Sequence, residues 1–314
     1  MLYPLKLKPI FKERIWGGQH LAQTFGYKLP VGAIIGEVWL LASHPHGSNV
    51  IENGHFAGIT LANLMAQHGR ELVGPAMSSK SFPLLVKLLD AGACLSVQVH
   101  PDNTFAVMHE QECGKNELWV ILAAKPDAEI VYGLKPGIDA ASFSEAVRKG
   151  TGLDSYLNRI MVKPGDVFFI PAGMLHSLGK DILAAEIQDN SDVTYRVFDY
   201  GRLDHSGQPR KLNINKALKV IDLAKPPCQT VLPFSGPTFR VERLTISDKF
   251  RLINSDEALQ FLLVLKGIGK LTGKGTNLLI RPGDALVIPA SVAGVTLTGT
   301  LELLKGQAVW PGQC

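Results

Sequence analysis

Four side chains that could bind one metal ion lie in three short segments of the chain. Gln98 and His100 lie in SVQVHPD (96–102), and Glu117 follows in GKNELW (114–119). Alternate residues of a strand face the same side, so Gln98 and His100 should point into one cavity. With His176, they offer two imidazoles, a carboxylate and an amide oxygen, a mixed set that suits Zn²⁺, with Mn²⁺, Fe²⁺ or Co²⁺ as substitutes. Such a set with an open position is typical of a catalytic site.

A second group of polar residues lies in EIQDNSDVTYRVFDYGR (186–202). If this segment is one continuous strand, alternation places Glu186, Asp192 and Arg196 on one face. A strand face this polar lines either solvent or a pocket. An arginine beside a metal cavity is suited to bind a phosphate or to stabilise an enediolate oxyanion.

Two lysines are further candidates for this site. Lys87 interrupts the apolar run LLVKLL, so its side chain either extends along the surface to water or points into a cavity. Lys115 precedes Glu117 by two residues and would share its strand face.

Other residues that could bind a metal lack such a context. No two cysteines have C-x-x-C spacing, so all four are expected to be reduced thiols. They are Cys94, Cys113, Cys228 and Cys314. Six further histidines are expected at the surface: His44, His46, His55, His68, His109 and His205.

The elements that must position these side chains are indicated by an internal repeat. VKPGDVFFIPA (162–172) and IRPGDALVIPA (280–290) share a P-G-D turn and an apolar strand that ends at proline. The first copy continues into AGMLHSL and so resembles the second motif of the cupins, a family of jelly-roll barrels. The second copy continues into ASVAGVTL and has no histidine. The repeat therefore predicts two barrels, of which only the first has a metal pocket.

The expected fold is mainly β, with two cupin-type jelly-roll barrels and small helical insertions. The 31 glycines and 19 prolines separate short apolar or alternating runs, as in strand-rich proteins. We expect an N-terminal catalytic barrel over 1–205 and a degenerate C-terminal barrel without metal ligands over 206–314. Helical insertions are expected at about 57–90 and 139–158.

Local signals place the helices within these limits. Residues 60–68 have helical spacing with Thr60 as a possible N-cap, and 142–149 begin with the capping-box pattern S-x-x-E. A third helix is expected at 213–224, whereas 82–89 is ambiguous between strand and helix.

Composition excludes several classes of protein. The net charge of +4 is too small to predict binding to nucleic acid. The N-terminus lacks a signal-peptide pattern, and no apolar run approaches the roughly 18 residues needed to span a bilayer. We therefore expect a cytoplasmic protein with neither a nucleic-acid nor a membrane partner; the sequence does not specify its oligomeric state.

Taken together, these segments resemble the type I mannose-6-phosphate isomerases (phosphomannose isomerases), in the short form found in Gram-positive bacteria. The resemblance is strongest over 1–205, and the combination of FPLLVKLLDA, SVQVHPD and G-K-x-E makes it specific. The segments that carry it include KPIFKERIWGG (8–18), IGEVWLLASHPHGSNVIENG (35–54), FPLLVKLLDA (82–91), KPGDVFFIPAGMLHSLG (163–179) and EIQDNSDVTYRVFDYGR (186–202).

The resemblance implies a set of site residues and a cofactor. One Zn²⁺ per chain would be bound by the residues that match the family's ligands, Gln98, His100, Glu117 and His176. Arg196 matches the family's catalytic arginine. Five residues match positions that line the family's substrate pocket: Trp16, Lys87, Lys115, Glu186 and Asp192. GKNELW and AGMLHSLG depart from the family's usual pattern beside the ligands but keep the ligands themselves.

The implied reaction is an aldose–ketose isomerisation in carbohydrate metabolism that interconverts mannose 6-phosphate and fructose 6-phosphate through a cis-enediol. A general acid/base must move a proton between C1 and C2, and Lys115, Glu186 and Asp192 are all candidates. Arg196 and a lysine would bind the phosphate or the oxyanion. A metal-supported hydride shift is an alternative to proton transfer.

Two other classes of function stay open at the level of sequence. One is another cupin metalloenzyme, either an oxygenase or a different sugar-phosphate isomerase. Arg196 and two lysines argue against the oxygenase, because this set suits an anionic sugar. The other is a non-catalytic sugar-binding cupin, although the first barrel retains its complete ligand set.

Overall fold

The computed structural model describes residues 1–77, 82–226, 229–254 and 258–309. Its strands are β1 (Leu5–Leu7), β2 (Ile10–Glu13), β3 (Ile35–Leu41), β4 (Ser43–His44), β5 (Gly47–Ser48), β6 (Leu84–Ala91), β7 (Val97–Val99), β8 (Glu117–Ala124), β9 (Glu129–Leu134), β10 (Leu157–Met161), β11 (Val167–Ile170), β12 (His176–Ser177), β13 (Ile182–Asp189), β14 (Tyr195–Phe198), β15 (Gln229–Thr230), β16 (Phe234–Ser235), β17 (Phe239–Ile246), β18 (Lys249–Ile253), β19 (Gln260–Gly273), β20 (Thr276–Ile280), β21 (Ala285–Ile288) and β22 (Gly294–Ala308). The α-helices are α1 (His20–Phe25), α2 (Leu61–Val73), α3 (Asn103–Glu110), α4 (Ala140–Lys149) and α5 (Ile214–Val220), and 3₁₀ turns cover Gly54–Phe56 and Leu153–Ser155.

Two antiparallel sheets form the first barrel. A seven-stranded sheet has the order β15-β11-β8-β13-β6-β3-β2, and a five-stranded sheet has the order β10-β9-β12-β7-β14. Apolar side chains from both sheets meet between them; for example, the rings of Tyr132 and Phe168 make an edge contact with centroids 5.2 Å apart. The predicted mainly β fold is confirmed.

The central strands β6 and β13 are buried along their whole length. One face of each strand points into the barrel. The other face packs in a large apolar cluster with α2 and with the sheet of the second barrel, which explains why β6 reads as a nearly continuous apolar run. Lys87 alternates with the residues of this outer face and so points into the barrel, where it lines the cavity.

The repeated P-G-D turns have matching geometry in the two barrels. Gly165 and Gly283 have φ of 96° and 85°, a region that favours glycine. The Asp166 and Asp284 side chains each accept a hydrogen bond from the backbone N–H three residues earlier, at 2.9 and 2.8 Å. The equivalent strands β11 and β21 follow. The second barrel is one eight-stranded sheet around an apolar interior.

Three local predictions are corrected by the structure. The helix capped by Thr60 ends at Val73, and Leu84–Ala91 is a strand, because a run this apolar is buried on both faces. The α4 helix begins before Ser142, since Asp139 caps it by accepting from the Ser142 N–H. Segment 186–202 is not one strand, because β13 and β14 belong to different sheets.

The division of the chain at residue 205 stays a prediction, and three segments lie across it. Strand β1 pairs with β21 of the second barrel, Leu5 opposite Val287. In the other direction, β15 pairs with β11 of the first barrel, and Ala217 of α5 packs in the first barrel's apolar cluster. Each barrel is therefore completed by a segment from the other half of the chain.

Two further expectations concern single features. Cys94 is a free thiol, whereas Cys228 and Cys314 lie outside the described residues. Among the helices of the described residues, none has the length and apolar character of a membrane span.

Candidate active site

Three side chains from separate elements converge inside the first barrel. His100 directly follows β7, Glu117 begins β8 and His176 begins β12. One ligand atom from each lies within 4.8 Å of the others, and all three side chains are buried. The Nε2 atoms of His100 and His176 each lie 3.2 Å from a carboxylate oxygen of Glu117.

The histidine rings are oriented by backbone carbonyl groups. Nδ1 of His100 lies 2.8 Å from the Val193 oxygen, and Nδ1 of His176 lies 2.9 Å from the Met174 oxygen. A carbonyl oxygen only accepts, so each neutral ring carries its proton on Nδ1 and presents the lone pair of Nε2 to the cluster. Burial and the charge of Lys115 lower the pKa of His100 to about 3, which keeps that ring neutral at ordinary pH.

This donor set fits a divalent cation. Glu117 Oε1 is buried and accepts no hydrogen bond, although the His176 Nε2 lone pair faces it at 3.2 Å. Burial alone would raise the pKa of Glu117, but Lys115 and the histidines hold it well below its usual range, so the group is a carboxylate. Lone pairs that face each other without a proton between them repel, and a cation bound between them would remove the repulsion.

Gln98 lies beside this cluster. Its backbone is directly opposite His176 on one neighbouring strand and Arg196 on the other. Gln98 Nε2 is 3.4 Å from His176 Nε2, while Oε1 accepts from Ser96 Oγ at 3.0 Å. A half-turn of the amide would place its oxygen toward the cluster; amide nitrogen and oxygen are exchanged by such a rotation without moving the rest of the side chain.

A cavity of about 310 Å³ opens next to the cluster. Seven of the residues predicted from the sequence line it: Trp16, Lys87, Gln98, Lys115, Glu186, Asp192 and Arg196. Lys115 connects the cavity to the cluster, because its Nζ is 3.1 Å from His100 Nε2 and ion-paired with Glu117.

Lys87 points into the cavity, as one of its two predicted placements required. Its Nζ is 3.1 Å from Glu186 Oε2, with both side chains buried, and Trp119 Nε1 donates to Glu186 Oε1 at 3.0 Å. Burial would lower the pKa of Lys87, but Glu186 and Glu37 outweigh burial and raise it, so this lysine stays charged.

Several residues of the cavity wall were not among the predicted site residues, including Arg14, Glu37, Arg210 and the exposed His205. Arg14 binds both carboxylate oxygens of Glu37, at 2.8 and 3.1 Å. Glu37 is the single charge in the apolar run IGEVWLL, the same signal that identified Lys87. Arg210 and His205 lie in a loop without apolar periodicity, which gives no comparable signal.

Of two histidines expected at the surface, His44 is buried, whereas His46 is exposed as expected and lies beside the cavity. His44 is buried, because its ring packs edge-on against Trp39 with centroids 6.1 Å apart and its Nδ1 accepts from the His46 N–H. His46 is more exposed, and its Nδ1 lies 3.0 Å from Asp192 Oδ2 at the cavity. Burial would raise the pKa of Asp192, but Lys87 and His46 outweigh it and lower that pKa.

Comparisons with known proteins identify the family. A family model described as phosphomannose isomerase type I, catalytic domain, matches residues 4–131, and one described as mannose-6-phosphate isomerase, cupin domain, matches 230–306. A mannose-6-phosphate isomerase of Streptococcus mutans is 38% identical over 98% of this chain and 99% of its own length. The chain belongs to the type I mannose-6-phosphate isomerase family.

Solved structures agree with this assignment. A mannose 6-phosphate isomerase from Bacillus subtilis superposes with a TM-score of 0.89 at 35% identity, covering 96% of this chain and 99% of that chain. A mannose 6-phosphate isomerase described as zinc-bound shares the fold, with a TM-score of 0.78 at 16% identity over 98% of this chain and 100% of that one. The resemblance predicted from the sequence is confirmed, and the comparisons support neither the oxygenase nor the binding-module alternative. The type I family is metal-dependent, and this chain has a buried His/Glu/His cluster in the corresponding barrel.

Proposed function

We propose that this protein is a metal-dependent isomerase that interconverts mannose 6-phosphate and fructose 6-phosphate. The observation that carries the proposal is the buried cluster of His100, Glu117 and His176 beside a cavity lined by cationic and acidic side chains. An anionic sugar needs those cations, and an aldose–ketose isomerisation needs a group that moves a proton next to a stabilised oxyanion.

One Zn²⁺ per chain is the proposed cofactor. His100, Glu117 and His176 would hold it, and Gln98 would add an amide oxygen after rotation of its amide. A bound divalent cation would supply Lewis-acid stabilisation of the negative charge that develops on the sugar oxygens. The carbonyl groups of Val193 and Met174 fix the two imidazoles in the required tautomer.

Lys115 is the proposed group that moves the proton between C2 and C1. Its Nζ contacts both His100 and Glu117 of the cluster. Glu117 cannot at once bind a cation and fully neutralise Lys115. Lys115, which contacts the cluster and lines the cavity, would then be available to carry the proton between the two carbons.

The other two candidates have separate roles in this proposal. Glu186 accepts from Trp119 and is paired with Lys87, so it positions the lysine and is not free to abstract a proton. Asp192 stays ionised because of Lys87 and His46, and would accept hydrogen bonds from sugar hydroxyl groups in the cavity.

Arg196 would stabilise the enediolate. It lies across from Gln98 on the neighbouring strand, and its Nε is buried without an acceptor. A buried donor without a partner is costly, and an oxyanion formed during the reaction would satisfy it.

A coupled assay on metal-stripped protein tests the proposal. Fructose 6-phosphate formation from mannose 6-phosphate should be absent without metal, should return with Zn²⁺, and should be lost in Lys115→Met, which retains the length of the stem. Lys149→Met, at a surface ion pair with Glu145, is the matched control and should retain full activity. Folded, zinc-loaded protein without turnover would contradict the isomerase function. The cytoplasmic location stays a prediction.

A further inference from the structure

Three of the five lysines and arginines that line the cavity have a buried carboxylate of their own. The pairs are Arg14–Glu37 at 2.8 Å, Lys87–Glu186 at 3.1 Å and Lys115–Glu117. Each of these cations is already neutralised by a carboxylate that cannot turn to solvent, because all three acids are buried. An incoming anion would therefore have to compete with a fixed internal partner for any of them.

The remaining two cations, Arg196 and Arg210, lack such a partner. Among the described residues, no carboxylate lies within ion-pair distance of Arg196, and its buried Nε has no acceptor. Arg210 Nη1 lies 3.3 Å from Asp199 Oδ1, but Arg202 Nη2 binds the same oxygen at 2.5 Å. One carboxylate therefore serves two arginines. Burial and the charge of Arg196 lower the pKa of Arg210.

Arg210 lies on the side of Arg196 away from His100, because its partner Asp199 directly follows β14. On antiparallel strands, Arg196 lies opposite Gln98 and Phe198 lies opposite Val97, so the chain beyond β14 runs away from His100. It reaches the start of the Leu95 segment, where Arg202 Nη1 donates to the Cys94 oxygen. Three residues of extended chain, about 10 Å, separate Leu95 from Gln98.

Asp204, a carboxylate of the cavity lining near Arg210 in sequence, is held by its own loop. Asp204 Oδ1 accepts from the Ser206 backbone and hydroxyl groups and from the Gln208 N–H. These bonds fix Asp204 Oδ1 within the 204–208 loop, and among the described residues no ion pair joins Asp204 to Arg210. Among the described residues, the Arg210 side chain donates a hydrogen bond only to Asp199, so its other N–H groups can bind an anion.

We propose that Arg210 recognises the phosphate group of the substrate and so determines the preference for phosphorylated over unphosphorylated sugar. This inference rests on the proposed function and assigns one end of the same cavity to the reacting carbons and the other end to the phosphate. The reacting carbons lie beside the cluster and Arg196, and the phosphate at the opposite end of the sugar binds the forked N–H groups of Arg210. Lys87 and Lys115, each paired with glutamate, do not bind the phosphate.

Steady-state kinetics of the zinc-loaded enzyme test this assignment. Arg210→Gln should raise the KM for mannose 6-phosphate roughly 10- to 100-fold, as expected for loss of a charged hydrogen bond, and change kcat by less than about threefold. Arg210→Lys keeps the charge without the fork and should give an intermediate KM. Arg251→Gln, on the exposed strand β18 of the second barrel, is the matched control and should behave like the wild type.

Inorganic phosphate separates this assignment from the reaction itself. At fixed ionic strength, calorimetry should detect phosphate binding to the wild type that weakens at least tenfold in Arg210→Gln, whether or not mannose 6-phosphate is turned over. If the wild type binds phosphate through Arg210 but shows no turnover, the isomerase function is wrong and the anion site stands. Unchanged KM and unchanged phosphate affinity in both folded Arg210 variants would overturn the assignment, as would a loss confined to kcat.

Discussion

The Nζ of Lys115 lies 3.1 Å from Nε2 of His100, at the point where the substrate cavity meets the metal cluster. The same ammonium is ion-paired with Glu117, one of the three clustered side chains. A cation that binds between His100, Glu117 and His176 must therefore take over a carboxylate that is already neutralised. The affinity of the site for metal and the charge of Lys115 are coupled.

Removing the Lys115 charge should strengthen metal binding while abolishing catalysis. In Lys115→Met, Glu117 has no competing cation, so we expect the Kd for Zn²⁺ to fall several-fold. Activity should fall at least about 100-fold, since general acid/base groups contribute roughly 10²–10⁴. Competition with a chromogenic chelator measures the affinity. Weaker zinc binding in this variant would show that Lys115 supports the ligands and does not compete for them.

Zinc should stabilise the protein through its ligands. A ligand that binds only the folded state adds about 2.7 kcal/mol at a free concentration of 100 Kd, which raises the midpoint of thermal unfolding. In His176→Gln, this increase should disappear, because the variant loses one imidazole at the centre of the cluster. His109→Gln changes a histidine in the last turn of α3 and should respond to zinc like the wild type. Equal stabilisation of both variants would place the zinc elsewhere.

Arg196→Gln should reduce kcat more than it changes KM. The buried Nε without an acceptor is available for charge that develops during the reaction, and loss of one such donor costs roughly 10²–10³ in kcat. Arg210→Gln should show the opposite division between kcat and KM. Measuring both variants under the same conditions therefore tests whether the two arginines act at different ends of the cavity. The same kinetic effect in both would contradict separate roles.

Glu37→Gln should destabilise the protein in a pH-dependent way. Burial would raise the pKa of Glu37, but Lys87 and Arg14 outweigh it and the net pKa is lowered. The carboxylate is thus stabilising above its unfolded pKa of about 4.3, and this contribution is lost as the pH falls through the lower folded-state value. Near neutral pH, we expect Glu37→Gln to lower the free energy of unfolding by about 3–5 kcal/mol, as when one partner of a buried ion pair is removed.

Urea unfolding at several pH values measures this difference. The difference in unfolding free energy between wild type and Glu37→Gln should be constant from about pH 7 to 5 and should become smaller below about pH 4. Glu13→Gln, an exposed position on the adjacent strand β2, should cost little at any pH. If this difference in unfolding free energy increased as the pH fell, Glu37 would not be an ionised, paired carboxylate in the folded protein.

Local chemistry made part of this structure predictable. The two P-G-D turns depend on a glycine with positive φ and on an aspartate that binds its own loop, and both features involve only neighbouring residues. The ligand set was likewise marked by alternation within short strands and by one motif. Thr60 could be identified as a cap because the bond to Asn63 is local.

Features that depend on distant strand pairing were not predictable in the same way. Arg14 reaches the cavity because β2 pairs with β3 and places it beside Glu37. Arg210 reaches the cavity because the loop between β14 and α5 folds back toward it. The break between β13 and β14 is invisible in the alternation of segment 186–202, because polar residues at a sheet crossover can keep the same spacing as a strand.

The pairing of β1 with β21 predicts that the first residues of the chain stabilise the second barrel. Leu5 is fully buried opposite Val287, so Leu5→Ala should destabilise the protein by about 2–5 kcal/mol. The partly exposed side chain of Lys6 is paired with Asp284, so Lys6→Ala should lower the free energy of unfolding by at most about 1 kcal/mol. Hydrogen exchange should increase in Leu5→Ala within Ala285–Ile288, because loss of β1 leaves β21 as an exposed edge strand. Exchange that increased only in the first barrel would instead support the division at residue 205.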